Sequence, residues 1–77
     1  MYLIYKTDPH HSYASRDLLG IATTKAIAIY LCKQQANKEH EKFDSDQLFN
    51  LNNINQTQGY SGEGEFDIEK VQINVLL

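Results

Sequence analysis

Two histidines, two serines, two aspartates, a tyrosine and an arginine crowd into the ten residues Asp8-Pro9-His10-His11-Ser12-Tyr13-Ala14-Ser15-Arg16-Asp17. Histidine titrates near neutrality and can shuttle protons or bind metal. Asp8, His10, His11 and Arg16 are therefore the candidate set for a small hydrolase or ligand-binding protein. Such a site requires these side chains to converge with Tyr60 or Glu63 in one pocket. The competing reading is a solvated loop whose polarity follows from exposure. That reading carries more weight, because adjacent histidines in an extended chain point apart and chelate poorly together. His40 is far away in sequence, and no His-x₃-His or His-Glu-x-x-His spacing occurs.

Nucleophilic catalysis needs a nucleophile, a base and an orienting group within hydrogen-bond reach. Cys32 is expected on the core face of a helix, where a thiol is an inert small hydrophobe. Ser12 and Ser15 lie beside the histidines, but no Gly-x-Ser-x-Gly elbow is present. Gly59-Tyr60-Ser61-Gly62-Glu63-Gly64 superficially resembles a phosphate loop. A strand follows it where a helix is required, and Glu63 and Glu65 repel phosphate. It reads as a flexible turn in which Tyr60 is free to anchor a partner. Glu63, Glu65, Asp67 and Glu69 alternate and fall on one strand face. That row could bind a cation or dock a basic partner, but it reads first as a solvated face. No cofactor-binding or metal-ligating set is assigned.

These residues must be positioned by a small scaffold. The chain of 77 residues is expected to form one domain, 1–77, with about three-fifths of its surface buried on folding. Its apolar content of 42 % is that of a globular protein and argues against disorder. The longest apolar run, Ala26 to Cys32, is too short to span a membrane. The start Met1-Tyr2-Leu3-Ile4-Tyr5 lacks a basic signal-peptide region. With one cysteine and no export signal, a cytoplasmic location is expected.

The net charge is −3 and uneven. Residues 1–43 carry six basic side chains against four acidic ones, and residues 44–77 carry one against six. Nucleic-acid binding is not expected, because that half repels phosphate and no basic stripe interleaves with aromatics.

Met1 to Thr7 reads as a central strand, ended by Asp8-Pro9. Leu18 to Ala22 is a second strand, with Leu19 and Ile21 on one face and Gly20 on the other. Thr23 or Thr24 caps a long helix from about Lys25 to about Glu41. Its core stripe is Ala28, Ile29, Leu31, Cys32 and Ala36. Ile27 and Tyr30 fall on the wetter side, which predicts that something covers them. Asp44 begins a short helix through Leu48, Leu51 and Ile54. Glu65 to Leu77 is the last strand, with a phase change near Glu69-Lys70 that predicts a bulge or a change of partner.

The fold class is α+β in the order β-β-α-α-β. A three-stranded, mostly antiparallel sheet carries one long and one short helix on one face. Leu19-Gly20-Ile21-Ala22-Thr23-Thr24, Gln56-Thr57-Gln58-Gly59 and Phe66-x-Ile68-Glu69-x-Val71-x-x-Asn74 resemble a pattern in small uncharacterised bacterial and phage-type open reading frames. The resemblance implies the strand-helix and terminal-strand arrangement and carries no activity. The leading expectation is a non-enzymatic, accessory or regulatory interaction module that binds a protein partner or a second copy of itself. Its expected contacts are Ile27, Tyr30 and Tyr60.

Overall fold

A computed structural model describes residues 1–72. The elements run β1 (Tyr2–Thr7), β2 (Asp17–Ala22), α1 (Lys25–Lys38), α2 (Ser45–Ile54) and β3 (Glu65–Lys70), with a single 3₁₀ turn at Tyr13–Ser15. The sheet order is β2-β1-β3, and both pairings are antiparallel. This is the expected α+β architecture, with β1 central. No helix among the described residues is long and apolar enough to cross a membrane.

The two sheet faces differ because β-strand side chains alternate. Ile4 pairs with Ile68, and Lys6 pairs with Phe66, on the helix side. Ile4, Phe66 and Ile68 join Ala28, Ile29, Cys32 and Ala36 of α1 and Leu51 of α2 in one core. Phe43, Tyr60 and Phe66 close one end of that core, their centroids 5.2–5.5 Å apart and their rings edge to face. The opposite sheet face carries Leu3, Tyr5 and Thr7, paired with Glu69, Asp67 and Glu65.

Local chemistry sets the helix ends. Thr24 caps α1 through its hydroxyl, which accepts the Ile27 amide at 3.2 Å. Asp44 caps α2 by accepting the Gln47 amide at 2.9 Å. Helix α1 stops at Lys38, short of the expected Glu41. The Glu41 amide bonds the Ala36 carbonyl and the His40 amide bonds that of Asn37. This is a Schellman closure with His40, at φ 60°, in the left-handed position usual for glycine.

The bulge lies elsewhere than expected. β3 pairs with β1 in unbroken register, whereas β2 slips between Ile4 and Tyr5, so Gly20 faces Ile4 and Leu18 faces Tyr5. Leu19 is the extra residue. The phase change at Glu69-Lys70 coincides with the end of β3. The continuing alternation at Ile73, Val75 and Leu77 lies outside the described residues.

Asn55–Thr57 runs along the outer side of β3. The Thr57 amide donates to Phe66 O at 3.0 Å, and Ile68 N donates to Asn55 O at 2.7 Å. Gln56 and Asp67 form an antiparallel bridge. One sheet edge is thus closed by a short stretch that reads in sequence as loop.

Candidate functional site

The polar loop does not assemble a single site. Asp8 shapes its own turn: Oδ1 accepts the His10 and Ser12 amides at 2.9 and 3.1 Å, and Oδ2 accepts the Ser12 hydroxyl at 2.5 Å. The Ser12 hydroxyl and amide hold the Asp8 carboxyl below its ordinary value. His10 is exposed. His11, at φ 57°, turns the chain back so that Nδ1 lies 2.5 Å from Asp67 Oδ1. Arg16 donates to Glu69 Oε2 at 2.9 Å, with its second amino group 3.7 Å from Asp67. Its guanidinium lies over the Tyr5 and Tyr13 rings, at 4.2 and 4.5 Å.

The loop is therefore neither splayed into solvent nor convergent. His11 and Arg16 grip β3 on the face away from the helices, and Asp8 faces a cleft beside Glu63. The serine hydroxyls are committed: Ser12 donates to Asp8 and Ser15 donates to Ser12 O at 2.8 Å. Burial pushes the Cys32 thiol up to about 12, which leaves it without nucleophilic character at neutral pH. Among the described residues, no group of three or more His, Cys, Asp or Glu side chains is placed to hold a metal ion.

The acidic row expected on a solvated face is corrected by the same geometry. Glu65 and Asp67 are each only 7 % exposed. Asp67 is roofed by His11 and Arg16. Glu65 accepts the Thr57 hydroxyl at 2.7 Å and the Gly59 and Tyr60 amides at 3.0 and 3.3 Å. Carboxylates tolerate such burial because each is supplied with donors or countercharge.

Tyr60 is corrected too. The glycine loop wraps around Glu65 and carries this ring into the core at 6 % exposure. Its hydroxyl donates to Glu39 Oε1 at 2.8 Å. Glu39 also binds Lys6 at 2.8 Å, and the Lys6 ammonium sits over the Phe66 and Tyr60 rings at 4.3 and 4.5 Å. Lys6 and Glu39 of this trio line an open cleft of about 1100 Å³ whose rim includes Asp8, Glu41 and Glu63. The cleft is acidic, but Glu39, Asp8 and Glu41 already have protein partners, Glu41 through Ser61 at 2.7 Å. Its serine hydroxyl, Ser61, is the donor in that contact, and its lysine, Lys6, is paired with Glu39.

Burial opposes ionisation of Glu39, but the hydrogen bonds from Lys6, Gln35 and Tyr60 outweigh it and hold the carboxyl below 4.5. The stability this group contributes is complete above 4.5 and is lost as pH falls through the lower folded value. The stability advantage of the wild type over Glu39→Gln, read from urea titrations, is therefore expected to shrink as the pH is lowered from neutrality through 4.5 and below. A constant advantage across that range would disprove the assignment.

The remaining surface of interest is apolar. Ile27 and Tyr30, expected outside the core stripe of α1, are exposed. Sequence reasoning missed other exposed apolar residues on β2: Leu18 is 55 % and Ile21 56 % exposed, and Leu19 is also open to solvent. Leu31 ties α1 to that strand. It lies one turn after Ile27 and packs over Gly20, where an added Cβ would sit 3.5 Å from its Cδ1. The apolar run Leu18-Leu19-Gly20-Ile21-Ala22 reads the same in sequence whether a strand is central or at an edge.

Comparison with protein-family models, curated proteins and solved structures finds no match to this chain. The structural statement that stands is a small α+β domain.

Proposed function

We propose that this protein is a non-enzymatic interaction module that docks a partner protein along the outer edge of β2. The observation that carries the reading is the contrast between the two sheet edges. The β3 edge is closed by Asn55–Thr57. Among the described residues, nothing pairs with the outer side of β2. From Leu18 to Ala22 that strand has no charge and no proline, two of the guards of a free edge. Its unpaired backbone groups offer a template for strand addition, and Ile27 and Tyr30 are exposed apolar side chains on the helix that follows it.

Phe49, 65 % exposed on α2, is an exposed apolar side chain away from this surface. A single exposed ring on a helix has no unpaired backbone beside it and is ordinary. The hydrolase reading built on Asp8, His10, His11 and Arg16 is weaker, because His11 and Arg16 bind β3, Asp8 closes its own turn and His10 is exposed.

Photo-crosslinking in the native cell tests the reading. A photo-reactive phenylalanine analogue at position 18 or 30 is expected to yield protein adducts, and the same group at position 49 is not. Equal labelling at all three positions, or adducts from position 49 alone, would remove the proposal.

A further inference from the structure

We infer that the occupant of the β2 edge is a second copy of this chain, paired antiparallel across a two-fold axis with Leu18 opposite Ile21 of the other copy. This rests on the docking reading above and deepens it.

In a regular strand, residues three apart point to opposite faces. Here Leu18 lies opposite Tyr5 and Ile21 opposite Leu3, so both belong to the face away from the helices. Asp17 lies opposite Lys6 and Ala22 opposite Tyr2, so both belong to the helix side. The extra residue Leu19 has made the strand symmetric about its own centre, between Leu19 and Gly20. A two-fold axis perpendicular to the sheet preserves faces, so it requires this symmetry when residues 18 and 21 meet. An unbulged strand would set these two residues on opposite faces and forbid the register.

Charge agrees with the arrangement. Asp17 is exposed at one end of β2. The register carries it to the other copy's Ala22, two residues before Thr24 at the start of α1. That helix begins with Lys25 and has no acidic side chain in its first turn. A carboxylate is favoured beside a helix N-terminus, and the two-fold axis supplies this pairing twice. The two Asp17 side chains sit at opposite ends of the paired strands and do not repel. On the face away from the helices, Leu18 and Ile21 of both copies close into one apolar cluster of cross-strand pairs.

The contact is small. Six paired residues a side fall below the roughly 800 Å² per partner of a standard interface. Association is therefore expected to be concentration-dependent, unlike that of an obligate dimer.

Sedimentation velocity over a concentration series should show a monomer–dimer equilibrium, weakened at least tenfold by Ile21→Lys with an unchanged thermal melt. Leu18→Cys and Ile21→Cys chains, mixed under a mild oxidant, should form a disulfide-linked pair, and neither should do so alone. Buried Cys32 does not compete. Self-linking of the Leu18→Cys chain would overturn the register. A monomer at every concentration would overturn the second copy as occupant. The mass of the photo-adduct separates this inference from the reading beneath it. An adduct of two identical chains supports both, one with a different protein overturns the inference and keeps the docking edge, and none at positions 18 and 30 overturns both.

Discussion

Gly64→Ala is expected to destabilise the protein by about 3 kcal/mol or more, lowering its melting temperature by roughly 12 °C or more. Gly64 has φ 71°, a left-handed conformation that costs any side chain, and an added Cβ would lie 2.0 Å from the Thr7 carbonyl oxygen. No rotamer change relieves this, because the clash is with backbone. Either β1 or the glycine loop must move, and Thr7 is paired with Glu65 in the sheet. Gly59 provides the control. It has φ 75°, but the nearest atom to its added Cβ is the Gln47 amide nitrogen at 3.8 Å. Gly59→Ala should therefore cost only the conformational part, about 1 kcal/mol. Urea unfolding of the two variants measures the difference. Equal costs would show that the close approach at Thr7 is unimportant.

Removal of the neighbouring carboxylate should have a comparable effect. Glu65→Ala is expected to cost about 3–5 kcal/mol, because the change strips acceptors from three donors at once. The Thr57 hydroxyl and the Gly59 and Tyr60 amides all point at this group. Thr57 is itself fully buried and also accepts the Phe66 amide at 2.9 Å, so the loss reaches the strand. Glu65→Gln keeps the shape and one acceptor oxygen, and should cost about 1–2 kcal/mol. Hydrogen exchange gives a local readout: the Gly59 and Tyr60 amides should lose protection in Glu65→Ala before the β1–β3 ladder does. A loss below about 1 kcal/mol with protection unchanged would refute this role for Glu65.

Both variants explain why the last third of the chain was harder to read than the first. Periodicity was enough for the strands, the order β-β-α-α-β and the buried stripe of α1, because burial imposes spacings of two and of three to four residues. It also marked Ile27 and Tyr30 as lying off that stripe. Residues 56–64 carry no such period. Three glycines with polar neighbours look like a mobile turn, and what orders them is a carboxylate whose alternation with Phe66 and Ile68 suggested a wet surface. Tyr60 followed the loop into the core for the same reason. Alternation reports which side a residue points to, and it is silent on what lies above that side. The roof over Asp67 comes from His11 and Arg16, more than fifty residues away in sequence.

The edge residues were missed for a related reason. Leu18, Leu19 and Ile21 have the composition of an interior strand. Only the sheet order, with β1 in the middle and Asn55–Thr57 closing the far side, shows that they are left at the margin. The position of the bulge was also out of reach, since the slip at Leu19 leaves no irregularity in a run that is apolar at nearly every position.

The central position of β1 has a consequence for how the chain is made. β1 leaves the ribosome before the other strands of its sheet, and its partner on one side, β2, follows soon after. On its other side Tyr2 must wait for Lys70, and Met1 for Val71, which hydrogen-bonds to it at 2.9 Å. Until β3 emerges the hairpin of β1 and β2 therefore has two bare margins. Its final closure is a long-range event that must wait for both helices to be made.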